Sequence, residues 1–147
     1  MINYFDAAEK TLRSRGTLEI ALGNLERRKE RIIRQSGPGG YPSIDYSKNY
    51  TSTKDVNDAL SECLELSEVM REIVATKEAI EEIDNVLSQM EPEDAELLRL
   101  WYVEKKSKED IADAINYSSA TTIYDLRNKA VSRFALLYFG ASALSSI

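Results

Sequence analysis

Histidine is absent from this 147-residue sequence, and cysteine occurs once, at Cys63. The first absence excludes imidazole general bases, Ser-His and Cys-His nucleophiles and histidine-ligated metals. The single cysteine excludes an intrachain disulfide and a cysteine cluster for zinc or iron–sulfur. Carboxylates remain, but no glycine-framed pocket pairs two of them. We therefore expect a protein that is not an enzyme and that needs no metal or cofactor.

Long apolar runs are also missing. The longest stretch, from Phe134 to Phe139, is far shorter than the ~20 apolar residues of a membrane helix. The first residues lack a basic region followed by an apolar core, so we expect no signal peptide. Apolar residues make up 43% of the sequence, enough to bury a core. These features predict a cytoplasmic protein without a membrane partner.

Glycine and proline are scarce, and most of them lie between residues 36 and 52. Gly37, Pro38 and Pro42 cannot continue a helix, so the sequence predicts a loop at 36–52. This loop also holds three tyrosines, which are Tyr41, Tyr46 and Tyr50. We interpret it as a connection whose tyrosines pack on neighbouring helices, with a binding loop as the alternative.

Long stretches on both sides of this loop predict helices, at about 3–34 and 53–89. Apolar residues of the first recur in steps of four and three, at Leu18, Leu22, Leu25 and Ile32 with Lys29 in the missing slot. The corresponding seam of the second is Leu60, Cys63, Leu66 or Ser67, Met70, Ile73, Lys77, Ile80, Ile83 and Leu87. We predict an antiparallel coiled-coil hairpin over residues 1–90, with Cys63 as a small buried residue.

Charge is divided unevenly along the chain. The overall net charge is −6, but residues 1–35 carry a net +3, residues 53–96 carry −11 and residues 97–147 carry +2. An acidic second helix beside a basic first helix explains this division as complementary flanks of one hairpin. Because residues 1–35 and 97–147 are mildly basic, the overall negative charge does not exclude a nucleic-acid partner.

A different pattern begins at Pro92, which with two following acids predicts the start of a short helix ending near Val103. Ser107 predicts a second short helix, with Asp110 as its capping-box partner, and Asn116 and Tyr117 predict a turn. Ser118 or Ser119 then caps a longer helix to about Phe139. Its expected inward stripe is Ile123, Leu126, Ala130, Phe134 and Leu137. The chain is thus predicted to be all-α, with a helix-turn-helix and an apolar tail over residues 91–147.

The residues of this second region resemble region 4 of sigma-70-type factors. The resemblance lies in the run Glu96–Glu104, in Ser107-x-Glu109-Asp110-Ile111-Ala112, in Tyr117-Ser118 and in Ile123-Tyr124-x-Leu126-Arg127-x-Lys129-Ala130. The motifs cover about residues 92–134. The whole layout is similar to small phage and prophage regulators of the RinA/ArpU type. Lys105 and Asn116 stand where that family usually has glycine.

This resemblance implies a sigma-like transcription regulator that binds double-stranded promoter DNA, of phage or prophage origin, with RNA polymerase as a further partner. The bases would be read by Ser119, Thr121, Thr122, Tyr124, Asp125 and Asn128. Phosphates would be contacted by Lys105, Lys106, Lys108, Arg127, Lys129 and Arg133. One face of the apolar tail from Phe134 to Phe139 should pack on the helix-turn-helix core, and the rest should meet either the helical hairpin or a second copy of the chain, from which we predict a homodimer.

Two alternatives belong to other classes. Overall acidity and a recognition helix poor in arginine favour a coiled-coil protein–protein adaptor whose helix-turn-helix no longer reads DNA. A carboxylate enzyme would need a metal-binding cluster on the acidic helix, around Glu81 and Glu82.

Overall fold

The computed structural model describes the backbone of residues 2–35, 53–116 and 120–146 and the side chains of residues 2–35, 56–116 and 122–145. Helices form these ranges and no β-strand occurs in them, which confirms the all-α prediction. No helix within them combines the length and apolar character needed to cross a bilayer. The predicted loop at 36–52, with its tyrosines, lies outside the described residues.

Five α-helices follow one another along the chain, with a π-helical turn at Arg99–Val103 and a 3₁₀ segment at Gly140–Ser146 near the end. Their bounds are α1, Tyr4–Gln35; α2, Thr53–Gln89; α3, Pro92–Leu98; α4, Lys108–Ala114; and α5, Ala120–Phe139. The helix ends agree closely with the predicted ones, because capping residues and the isolated prolines mark them locally. Asn3 starts α1, since its side-chain oxygen accepts from the backbone N–H groups of Phe5 and Asp6.

Contacts divide the chain into two compact units. The first combines Met1–Leu18 with Ala79–Ile147, and the second is Glu19–Glu78. The sequence predicted a division near residue 90 instead. The difference arises because the beginning of α1 and the end of α2 share one apolar core with α3 and α5. That core includes Ala8 and Leu12 of α1, Ile83 and Leu87 of α2, and Phe134 of α5.

The second unit is a helical pair. Ile32 of α1 packs with Leu66, Val69 and Ile73 of α2, flanked by the half-buried Leu22 and Leu25. An ion pair joins Lys77 Nζ to Glu26 Oε1 across the two helices at 3.8 Å. These partners run in opposite directions along α1 and α2, so the predicted antiparallel hairpin is confirmed within this unit.

The predicted seam of α2 was wrong at three positions. Leu60 and Met70 are 44% and 41% exposed, and Lys77 is exposed as well. Val69 and Thr76 are buried in place of Met70 and Lys77. Each lies one residue, or about 100° around the helix, from the predicted position. Cys63 is half-buried rather than enclosed.

One position in the predicted stripe of α5 was also wrong. Leu137 is 44% exposed, whereas Ile123, Ala130 and Phe134 are buried as expected. Val131 and Ala135 are buried beside them, so the inward face of α5 is wider than a single row of residues. The helix is enclosed from several sides by α3, α4 and the 3₁₀ segment. Leu137 faces away from all of this packing.

Phe134 and Leu137 provide a direct test of this assignment. Phe134→Ala removes a fully buried ring and should lower the free energy of unfolding by about 3–5 kcal/mol. Leu137→Ala on the same helix should change it by no more than about 0.5 kcal/mol. Denaturant unfolding followed by circular dichroism measures both values. Equal losses for the two variants would contradict the described packing of α5.

Candidate nucleic-acid interface

The π-helical turn after α3 positions two aromatic side chains. Its wide hydrogen bond joins the Glu104 N–H to the Arg99 carbonyl at 2.9 Å, and the Lys106 N–H donates to the Leu100 carbonyl at 2.9 Å. The chain then leaves the helix through Lys105, whose φ is 54°. This left-handed conformation is costly for a residue with a Cβ. Lys105 is thus a strained position in this turn.

Helix α4 begins at the predicted cap. The Ser107 hydroxyl oxygen accepts a hydrogen bond from the Asp110 N–H at 3.2 Å, which satisfies a free donor of the first turn. At the other end Asn116 has φ 62°, the left-handed turn expected of it. Ile111 and Ala112 pack with Leu97 and Ile123, and this cluster holds α4 against α5.

The structure brings Lys108 at the start of α4 close to Tyr124 of α5. The Lys108 Nζ lies over the Tyr124 ring, 4.5 Å from its centroid. The same ring meets Trp101 edge-on, with 5.4 Å between the ring centroids. A cation near an aromatic face is weakly attracted to it, so Lys108 is held beside α5 while it stays exposed.

The other predicted contact residues fall into three groups. Lys105, Lys106, Asp125, Asn128 and Lys129 are exposed, and Thr122 is half-buried. Ser119 lies outside the described residues, and so does the side chain of Thr121. Arg133 is exposed but pairs with Asp94, with 3.6 Å between Nη1 and Oδ2. A groove of about 400 Å³ runs along the outer side of α5, lined by Asn128, Lys129, Ser132, Arg133 and Leu136.

Arg127 occupies a different environment from the lysines. Its side chain is 18% exposed, and Nη1 lies 3.4 Å from Glu9 Oε2 and donates to the Tyr102 hydroxyl at 3.2 Å. The guanidinium also stacks over the Trp101 ring, 4.7 Å from its centroid. These contacts hold the Arg127 guanidinium against Glu9, Tyr102 and Trp101. We therefore do not count Arg127 among the side chains that could contact DNA.

Glu9 is the centre of this polar network. The Tyr102 hydroxyl donates to Glu9 Oε2 at 2.7 Å, and Arg13 Nη2 approaches the same oxygen at 3.2 Å. Burial of the ring and the hydrogen bond to Glu9 raise the pKa of Tyr102 from 10.0 to about 12, against an opposing effect of Arg127. The phenol therefore keeps its proton and acts as a fixed donor between α1 and α5.

Sequence reasoning missed the roles of Glu9 and Tyr102. The sequence placed Tyr102 only within a short helix ending near Val103, and Glu9 lies 93 residues before it. No local pattern connects two side chains so far apart, and the only hint was a tyrosine on an otherwise apolar helix face. Across the part of the chain that the structure describes, no group of three or more Asp, Glu or Cys side chains is placed to hold a metal ion.

Comparison with known families places the chain in the family described as protein of unknown function (DUF1492), which matches residues 49–135. The chain therefore belongs to this family. The matched region contains all of α2, α3 and α4, and most of α5. No curated protein and no solved structure matches the sequence.

The raised pKa of Tyr102 makes stability depend on pH. Because the folded-state pKa of about 12 lies above the ordinary value of 10.0, the folded chain holds this proton more tightly. The resulting stabilisation is complete below pH 10 and is lost as the pH rises towards 12. Urea unfolding of the wild type and Tyr102→Phe between pH 9 and 11.5 should show the wild-type advantage shrinking over this range. A difference in unfolding free energy that stays constant over this pH range would contradict the role given to the Tyr102 hydroxyl.

The strained turn yields a second prediction. Lys105→Gly should raise the free energy of unfolding by about 1 kcal/mol, because glycine adopts positive φ without steric cost. Lys106→Gly is the matched control, since Lys106 is exposed and has no positive φ. It should leave stability unchanged or lower it. A gain in both variants would point to lost charge repulsion instead of relieved strain.

Proposed function

We propose that this member of the DUF1492 family is a cytoplasmic transcription regulator of the sigma-like kind, which binds double-stranded promoter DNA and has no enzymatic activity. The contact surface is the start of α4 together with the outer side of α5. Its phosphate-contacting side chains are Lys105, Lys106, Lys108 and Lys129. We further propose that it acts as a homodimer and that RNA polymerase is a second partner.

One observation carries this proposal: the Lys108 ammonium lies over the ring of Tyr124. It brings the first residue of α4 beside the first half of α5, and Lys105 and Lys106 lie just before it in the chain. A helix-turn-helix uses this combination, in which one helix presents side chains to the major groove while neighbouring cations contact the flanking phosphates.

The charges around α4 and α5 favour a modest affinity for DNA. Four lysines can each release about one counterion, so binding should weaken steeply with salt. Exposed acids of the same region, among them Glu109 and Asp125, oppose this attraction. A single copy should therefore bind weakly, and two copies on adjacent half-sites bind more tightly because their contacts act together.

Base recognition falls to side chains that form one or two hydrogen bonds. Asn128 can pair with adenine, and Asp125 can accept from the amino group of cytosine. With Arg127 held by Glu9 and Tyr102, the described face of α5 offers no arginine-to-guanine contact apart from Arg133, which pairs with Asp94. Sequence selectivity should accordingly be moderate, and contact with polymerase would add to it.

An adaptor that binds other proteins is the second candidate. The observation that favours it is a set of exposed apolar side chains on α2, such as Leu64 and Val74, at 56% and 54% exposure. An adaptor function requires no contact between α5 and DNA. It predicts that loss of the lysines has no effect on the function of the protein.

Selection of bound sequences from a random double-stranded DNA pool at low salt, with and without RNA polymerase, tests the proposal. We expect an enriched motif for the wild type. Enrichment only in the presence of polymerase would indicate an accessory role, and no enrichment from a folded protein would favour the adaptor.

The selected DNA then allows a quantitative comparison. Lys106→Ala with Lys129→Ala should weaken binding and reduce the slope of log affinity against log salt by about 2, or about 1 for each phosphate contact. Lys10→Ala with Arg31→Ala removes the same charge from exposed positions of α1 and should change the slope little. Equal effects of both pairs would show that only net charge matters.

A further inference from the structure

Helix α2 carries a second apolar face within the unit Glu19–Glu78. We define the outer stripe by side chains of α2 that share one side of the helix, namely Leu60, Cys63, Leu64, Ser67, Met70 and Val74. Leu60, Leu64, Met70 and Val74 are 44%, 56%, 41% and 54% exposed. Exposed apolar side chains gathered on one face, in contrast to scattered ones, mark an interaction surface.

The outer stripe occupies a different side of helix α2 from the seam that packs on α1. Leu66, Val69 and Ile73 form that seam, and Ser67, Met70 and Val74 each follow one of its residues by one position, about 100° further around the helix. Leu60 and Leu64 lie further round, on the far side. Since α1 already occupies the seam, it cannot also cover the outer stripe in the same unit.

Spacing and charge both suit a helical partner. Positions 60, 63, 67, 70 and 74 repeat in steps of three and four, which is the pattern of a coiled-coil seam. They bear no charge, although residues 53–96 hold fourteen acids against three basic residues. The acids within this span, at Glu62, Glu65, Glu68 and Glu72, lie at other positions of the repeat. The most acidic segment of the chain thus keeps one face neutral.

We propose that the outer stripe is the contact surface for a second copy of this chain, with the two α2 helices antiparallel and their two-fold axis near Ser67. This arrangement places Leu60 against Val74 and Leu64 against Met70, so that the four exposed apolar side chains meet in pairs about the axis. A two-fold interface must be self-complementary in this way. The small Ser67 side chains at the axis let the two helices approach closely.

The charged side chains beside the stripe fit the antiparallel pair. Arg71 and Glu78 lie beside it, at the positions that follow Met70 and Lys77. About an axis at Ser67, Arg71 lies near Cys63 of the second copy and Glu78 lies near its Val56. Neither charge therefore meets a like charge.

The stripe spans 15 residues, or about 21 Å of helix. An interface of this length is at the small end of specific contacts, so we expect a dimer that dissociates on dilution. This inference rests on the homodimer part of the proposed function and names its surface. It is measured without DNA, so a failure of DNA binding and a failure of association are distinguishable.

Sedimentation of the full chain over a range of concentrations tests the surface. The wild type should pass from monomer to dimer as its concentration rises, and Leu64→Glu should remain monomeric. Ile20→Glu is the matched control, because Ile20 is 68% exposed in the same unit but lies on α1. It should dimerise like the wild type. A wild type that is monomeric throughout, or equal loss in both variants with unchanged helicity, would overturn the proposal.

Disulfide trapping tests the axis independently of the charge variants. With Cys63→Ala as background, Ser67→Cys places a thiol at the two-fold axis and should form a disulfide-linked dimer with oxidised glutathione. Ser61→Cys, an equally small change at an exposed position off the stripe, should not. Absence of the Ser67→Cys dimer, or a dimer formed as readily from Ser61→Cys or from Leu60→Cys, would overturn the antiparallel arrangement.

Discussion

The hydroxyl group of Tyr102 lies between the carboxylate of Glu9 and the guanidinium of Arg127, and the orientation of α5 depends on that contact. Charged groups removed from water are costly unless each finds a partner of opposite sign or a hydrogen bond. Glu9 and Arg127 meet this requirement only when α1, the π-helical turn and α5 are all in place. The stacking of Arg127 on Trp101 adds a further geometric condition. The network therefore fixes one arrangement of the three elements, while the surrounding apolar core supplies most of the stability.

Local sequence signals were sufficient to predict the helices but not the polar network of Glu9, Tyr102 and Arg127. Pro92, Ser107 and Asn116 act within a turn of their own positions, so the helix ends that they mark could be predicted from sequence. Arg127 looked like a DNA-contacting residue because it lies in a basic segment, and its partner Glu9 is 118 positions away. The seam of α2 was predicted partly wrong for another reason. Two apolar patterns of the same spacing are interleaved on that helix, and a single sequence does not say which of them α1 covers.

The region shared with the DUF1492 family is not the same as the folded unit. It covers residues 49–135 and therefore leaves out Ala8, Leu12 and Ala143, which are fully buried in the core with α3 and α5. It also leaves out Glu9. A fragment limited to the matched region would expose apolar surface and leave Arg127 without its acidic partner. The beginning of α1 is thus part of the same compact unit as α3, α4 and α5, although it lies far from them in the sequence.

The first unit is assembled from both ends of the chain, and this has a consequence for biosynthesis. Residues 1–18 are synthesised before their packing partners, which begin only at Ala79 and extend to Ala143. The intervening segment 19–78 can pair its own two helices earlier, since its contacts need only that stretch of chain. Once paired, it shortens the effective loop that the first unit must close. The first unit therefore cannot be completed until residues up to Ala143 have been synthesised, and a product that terminates before them lacks part of its core.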